Sequence, residues 1–292
     1  MLDQLANGIL LGAVIAMTSV GLSLIFSVTG SFSFAHGDLV TVGAMTAVLL
    51  ATALPLPVWL AIVLAIAAVG VLGYVLDLAI FRPMRRRGVG GITTLVATLG
   101  LSLIIRYTIL ALAGPEPRAL PIPRQQVTSI LGLNMTPLAF AVVIATIVLL
   151  GGLGLFLIFS PLGTAMRAVA SNRALAAASG INIDRIIRIT WVLGGALAGM
   201  GGIALALTQL VFWDMGFHLL LLMFAGVIVG GLTSPFGAVV GGFTIGLVTQ
   251  LSMAIPFIGE RADLKLAVAL TVMVIVLLVR PQGILGRKVR LS

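Results

Sequence analysis

Nine long apolar runs, parted by short polar stretches that hold most of the charges, leave this chain one environment in which to fold. The runs cover residues 6–28, 39–54, 58–81, 92–113, 137–159, 189–212, 219–232, 236–254 and 264–279. At about 1.5 Å per helical residue, the longer ones reach across a bilayer. Of the 292 residues 60% are hydrophobic and 9% charged, and the mean hydropathy is +1.25. A soluble domain cannot hide that much apolar surface, whereas a polytopic membrane protein exposes it to lipid. The expected fold is therefore all-α, a transmembrane helix bundle of nine spans, or eight if a broken one counts as half. No polar block is long enough to fold apart, so residues 1–292 are expected to form one membrane domain.

The net charge of +9 could point to nucleic acid, but its distribution points to topology. Four basic residues lie in 82–87, four in 167–188 and four in 280–290, and none precedes Arg82. Clusters at loop positions are positive-inside signals rather than a stripe that tracks phosphates. They put loops 82–91 and 160–188 and the C-terminus in the cytoplasm and the N-terminus outside a cell (inner) membrane. Loop 114–136, with four prolines and mixed charges, then lies outside, and Pro55 and Pro57 mark an external turn. A secretory signal would want a basic start and a shorter apolar core, so the first segment is expected to stay attached. No cysteine occurs, which excludes disulfides and thiolate metal sites.

Residues 160–188, SPLGTAMRAVASNRALAAASGINIDRIIR, form the longest polar-to-neutral stretch between apolar runs. Ser160 can cap a helix that carries Pro161 in its first turn. Ser171 or Asn172 can cap a second, short helix of small residues, which Gly180 ends as a C′ residue. Asn182 or Asp184 then opens the next span. A short helix faced with small residues thus hangs between two spans, ringed by Arg167, Arg173, Arg185 and Arg188. It can plug a groove on a cytosolic partner, or lie as an amphipathic helix among the headgroups.

The spacing Arg173-Ala174-Leu175-Ala176-Ala177, then Gly180-Ile181-Asn182, then Asp184-Arg185, resembles the cytoplasmic coupling loop of ABC-transporter permeases. In detail it is similar to the branched-chain amino acid permeases among them. The glutamate usual in such loops would fall at about Ala174, so one characteristic charge is absent. Phe34-Ala35-His36-Gly37-Asp38 resembles the N-terminal signature of the same family, and GGLTSPFGAVVGG from Gly230 resembles its glycine-proline element.

Other chemistry is sparse. No GxxxxGK[ST] loop occurs, so any ATP must be bound by another chain. The two histidines, His36 and His218, form no paired metal motif. Asp77, near a span end, can reach Arg82 or water. Arg106, inside an apolar span, reads as snorkelling outward, with a path-lining role as the alternative. Residues 29–38 and 230–237 interrupt apolar runs at corresponding places in two halves, each followed by helix, proline turn, helix and Arg-Pro. Interrupted segments of that kind point to a substrate path. Phe34, His36, Gly37, Asp38, Gly231 and Pro235 are its candidate residues. The alternative for His36 and Asp38 is a structural kink whose freed backbone they satisfy. Small-xxx-small pairs, Gly8/Gly12, Gly195/Gly199, Gly226/Gly230, Gly237/Gly241 and Gly242/Gly246, predict close helix packing.

The resemblance implies a permease subunit of an ATP-driven importer for branched-chain or related amino acids, not itself an enzyme. It implies a second, homologous permease, two cytosolic ATP-binding subunits that hold ATP and magnesium, and an external substrate-binding protein. It assigns Arg167, Asn172, Arg173, Ala176, Ala177, Gly180 and Asp184 to coupling with the ATPases. Urea, short amides or other amino acids are alternative substrates. A stand-alone secondary transporter is the alternative class, but it would need more intramembrane ionisable residues than occur here.

Overall fold

A computed structural model describes residues 2–54, 56–123, 125–130, 132–259 and 264–286. In order the elements are α1 (Leu2–Thr29), α2 (Ala35–Ala53), α3 (Val58–Leu76), a π-helical turn (Asp77–Phe81), α4 (Arg82–Arg86) and α5 (Gly91–Ala113). Strands β1 (Thr128–Ile130) and β2 (Leu133–Met135) form an antiparallel hairpin. Then come α6 (Pro137–Phe159), α7 (Pro161–Ser171), α8 (Arg173–Ala178), α9 (Ile183–Thr208), α10 (Met215–Gly230) and α11 (Pro235–Leu251). A 3-10 turn (Ser252–Ala254), α12 (Pro256–Gly259) and α13 (Leu264–Val279) follow. Among the described residues seven helical stretches are long and apolar enough to cross a membrane, and α10 and α13 are shorter apolar helices. All nine expected segments are therefore helices in a polytopic bundle. Pro55 and the basic residues at 287, 288 and 290 lie outside the described residues.

Helix α1 is the axis. Residues 12–25 are buried on every face, which suits a helix that is apolar all round. It packs chiefly against α11 and α9, while α9 also backs α2 and α3. The small-residue pairs supply these approaches. A Cβ on Gly242 would stand 2.5 Å from Ala16 Cα, and one on Gly195 would stand 2.8 Å from the Val69 carbonyl oxygen. Without a hydrophobic drive between helices in lipid, such backbone proximity supplies the dispersion contact that holds them.

Three of the boundaries that depart from the expectation bear on the site. The break after α1 is shorter than residues 29–38, because α2 resumes at Ala35, so His36 and Asp38 stand in its first turn. There Asp38 meets the positive end of the helix dipole. The third span runs past Pro83 to Arg86 through the π turn, in which Arg82 N–H bonds back to Asp77 C=O. The wider turn lies where a proline can neither donate to residue i−4 nor tolerate its carbonyl close by. Helix α9 begins at Ile183, six residues before the apolar run, because the Asn182 side chain accepts from Arg185 N–H.

The two ends of the bundle differ. At one, Asn134 Nδ2 donates to Asp3 Oδ1 at 2.8 Å, tying the N-terminus to the hairpin. Arg118 and Val211 pair there by backbone bonds of 3.0 and 2.8 Å. At the other end sit α4, α7, α8 and the start of α9, and Ile284 N–H returns to the Val229 carbonyl at 2.8 Å. The first and the last described residues are therefore at opposite ends of the bundle.

Candidate functional site

Local capping builds a rigid platform at the arginine-bearing end. Ser160 Oγ accepts from Gly163 N–H at 2.9 Å, with Pro161 at the start of α7. Of the two candidates for the second cap Asn172 serves, its Oδ1 accepting from Leu175 N–H at 2.9 Å. At the far end of α8, Gly180 takes φ +83°, a left-handed value costly for other residues. Its N–H bonds to Ala177 C=O and that of Ile181 to Ala176 C=O, a complete Schellman closure. A helix of only six residues is thus fixed at both ends.

The residues expected to couple divide by where they face. Asn172, Ala177 and Gly180 lie on the exposed surface, and Leu175 beside them is 66% exposed. Ala176 does not join them, being turned inward and 3% exposed, because a one-turn helix must lay one face on its own chain. Arg167 is used internally, donating to the Leu157 and Ile158 carbonyls and to Thr164 Oγ1, so it closes the end of α6. Arg173 donates to the Val28 carbonyl at the end of α1.

Asp184 is likewise turned to its own chain. Its carboxylate faces Arg82 at 3.2 Å, Arg86 at 3.5 Å and Arg85 at 3.7 Å. Asp77 pairs with Arg85 at 2.6 Å rather than with Arg82. Together these contacts hold α4 against α9, so the loop that follows α3 and the platform of α7 and α8 rest on the start of one helix.

Deeper in the bundle, the broken segment is braced. Phe34 N–H donates to Thr98 Oγ1 at 3.2 Å, and the His36 ring bonds the Thr18 carbonyl at 3.1 Å. Gly37 lets α10 approach, since its Cβ would stand 2.7 Å from Gly216 C=O. Asp38 is wholly buried and receives Ser102 Oγ–H and, at 3.0 Å, Arg106 Nε–H. Arg106 therefore does not snorkel; it turns inward, with its guanidinium 3.8 Å from the Phe217 ring centroid. Gly231, at φ +115°, ends α10, and Pro235 opens α11 behind a Ser234 cap. Each break packs on the helix that precedes the other, because Ser23 Oγ on α1 donates to Leu232 C=O at 3.1 Å and the Phe32 ring stands edge to face with Phe224 on α10.

Two cavities flank this braced centre, and neither is bordered by Phe34, His36, Gly37 or Asp38. One, of about 630 Å³, opens at the N-terminal end between Gln209, Asp214, His218, Gln250 and Lys265. The other, of about 370 Å³, lies at the arginine-bearing end beneath α8. Arg85, Phe81 and Trp191, which border it, had no motif to announce them. The signal available was the juxtaposition of Phe81 with the Arg-Pro step.

A family model, the permease component of the branched-chain amino acid transport system, matches residues 4–277. The chain is 28% identical to the high-affinity branched-chain amino acid transport system permease protein BraD of Pseudomonas aeruginosa, over 98% of this chain and 96% of that protein. It is 29% identical to LivH of Escherichia coli K12, a protein with the same description, over the same shares. A probable branched-chain amino acid transport permease protein LivH of Methanocaldococcus jannaschii is 28% identical over 97% of this chain and 91% of its own length. Among solved structures, PsaBC from Streptococcus pneumoniae in complex with Fab aligns with TM-score 0.50 and 15% identity, over 94% of this chain and 91% of that one. That last likeness bears on fold alone.

Proposed function

The chain belongs to the family of permease components of branched-chain amino acid transport systems, and on that premise we propose that it is one membrane-spanning subunit of an ATP-driven importer for leucine-like amino acids. As a single membrane domain it would pair with a second, homologous permease. Two cytosolic subunits would bind ATP and magnesium, and an external binding protein would deliver substrate. The arginine clusters favour a cytoplasmic α7–α8 platform and C-terminus, with the N-terminus outside. One observation carries the coupling reading: α8 is capped at both ends yet leaves Leu175 66% exposed on a surface that otherwise carries Arg173 and small residues. A large apolar residue held outward on a rigid turn is what a partner groove can take up. In this reading Leu175, Ala177 and Gly180 touch the ATPase. Asn172, Arg167, Arg173 and Asp184 keep the platform rigid. Phe34, His36, Gly37, Asp38, Gly231 and Pro235 hold the helices that bound the path. Energy from the ATPases reaches the spans only as a difference in binding between two arrangements of this platform.

Uptake and partner pull-down test this. Ala177→Trp has free space in this chain but overfills a matched groove, at roughly 1–3 kcal/mol. Expected outcomes are normal membrane insertion, with ATPase association weakened about tenfold or more and ATP-driven leucine uptake lost in vesicles. Leu175→Asp should act alike. Full association and uptake in both variants would remove α8 from the coupling surface.

Orientation has its own test. In this cysteine-free chain, Ser129→Cys on β1 should react with an impermeant thiol reagent in intact cells, while Ser171→Cys should react only after permeabilisation. The opposite pattern would invert the topology.

A further inference from the structure

The 370 Å³ cavity beneath α8 has more hydrogen-bond donors than the protein can answer. Arg173 borders it from α8, Arg85 from α4, and Ser33 from the break between α1 and α2. Trp191 forms part of its wall, stacked on Phe81 with ring centroids 4.3 Å apart. Among the described residues, Ser33 Oγ, Trp191 Nε1 and Arg85 Nε and Nη2 are buried with no hydrogen-bond partner, and so is one acceptor beside them, Asp77 Oδ2. Arg85 Nη2 lies 3.7 Å from Asp184, beyond hydrogen-bond reach. Buried polar groups of this kind are normally paired, and these unpaired donors belong to three residues that border one space, which favours an acceptor there.

Charge points the same way. Arg82, Arg85, Arg86 and Arg173 gather here, and the carboxylates that answer them are Asp77 and Asp184. Burial first, and then the neighbouring Arg85 charge, weigh against the charged form of Arg173. A guanidinium keeps its proton regardless, so an anion beside it would be favoured. A carboxylate offers two coplanar oxygens that match a guanidinium fork. Phe32, Phe81, Met84 and Val89 give the wall an apolar part, beside the hydroxyls of Thr29, Ser31 and Thr98, and Thr94 Oγ1 retains a lone pair for an ammonium. A few charged groups opposite an apolar wall, in a space of this size, are the usual make-up of a small-molecule pocket.

We propose that this cavity binds an aliphatic amino acid, with its carboxylate held between Arg85 and Arg173 and its side chain laid on Phe32, Phe81, Met84 and Val89. The site lies within this one chain, at the end where an importer releases its cargo, and it deepens the permease reading on which it rests.

The test uses the assembled complex in nanodiscs of neutral phosphatidylcholine, without the binding protein. Trp59→Phe and Trp213→Phe leave Trp191 as the permease's own fluorophore. L-Leucine should change its emission saturably, whereas L-leucinamide, which lacks the carboxylate, should bind at least tenfold more weakly. Arg173→Gln should cost tenfold or more in leucine affinity, and Arg173→Lys less. Ser33→Ala deletes a hydroxyl with no protein partner, so a severalfold loss there cannot reflect a broken internal contact. Absence of a leucine response, equal binding of leucinamide, or unchanged affinity in Arg173→Gln and Ser33→Ala would overturn the site. So would a Trp191 change on adding phosphatidylglycerol that leucine cannot reverse, which would assign the cavity to a lipid phosphate. In each case ATP-driven leucine uptake by the wild-type complex would leave the permease reading standing. Loss of all such uptake would overturn both.

Discussion

Replacing Asp38 by asparagine is expected to cost the fold about 3–5 kcal/mol, the usual penalty for removing one member of a buried ion pair. Asparagine keeps the shape and can still accept from Ser102, but it leaves the Arg106 guanidinium without a counter-charge. Arg106 is almost wholly buried, and its other contacts are Ser102 Oγ at 2.9 Å and the Phe217 face. A cation on an aromatic face recovers on the order of 2 kcal/mol when desolvated, less than the lost pair. Against a total stability of roughly 5–15 kcal/mol, most of the protein should fail to leave the membrane in a monodisperse form. Arg106→Met should be as damaging, since it strands the carboxylate. Asp38→Leu combined with Arg106→Met should recover much of the loss, because an apolar pair needs no desolvation. Size-exclusion profiles and thermal unfolding in detergent measure all three. Should Asp38→Asn fold normally yet abolish uptake, Asp38 touches substrate and its bracing role is wrong.

That pair also marks where reading the sequence stops. Ser160 and Gly180 could be placed, and the second cap narrowed to Ser171 or Asn172, because capping is settled within four residues: a side-chain oxygen meets an N–H three positions on, and glycine tolerates positive φ. The nine helices were legible for a similar reason, since a backbone in lipid has few other ways to satisfy itself. Asp38 and Arg106 are 68 residues apart and meet only after α2 and α5 pack. Taken singly, Arg106 reads as a charge reaching for water and Asp38 as part of a path or a kink. Taken together, two lone opposite charges in neighbouring apolar spans were a signal that could have been used. Ala176 failed for a different cause. A turn made of alanines has no apolar stripe, so nothing in RALAAA says which methyl faces inward. Leu175 was the informative residue, being large where its neighbours are small. The cavity beneath α8 draws on the break after α1, the π turn, α4, α5, α8 and α9, and no local pattern collects residues from so many elements.

Gly246→Ala should do more harm than the addition of one methyl group ordinarily does, and its contrast with Gly100→Ala isolates the cause. In the abstract, exchanging glycine for alanine within a helix gains roughly 0.5–1 kcal/mol, because less backbone entropy is lost on folding. At Gly100 on α5 a Cβ would meet nothing within 4 Å, so that gain should be realised and stability should rise slightly. At Gly246 on α11 the same atom would lie 2.3 Å from both Gly12 Cα and Gly12 N. The obstacle is backbone rather than the end of a flexible side chain, so relief requires α1 and α11 to part. That separation would also loosen Gly242 against Ala16, on the same face of α11 one turn away. Overpacking in a close-fitted interior costs typically 1–3 kcal/mol, occasionally more, and this contact lies along the central helix, where little else can yield. Gly246→Ala is therefore expected to lose about 2–3 kcal/mol and Gly246→Leu to yield almost no folded protein. Thermal unfolding of the detergent-solubilised variants decides it: equal midpoints for Gly246→Ala and Gly100→Ala would mean that α1 and α11 are not held by backbone contact.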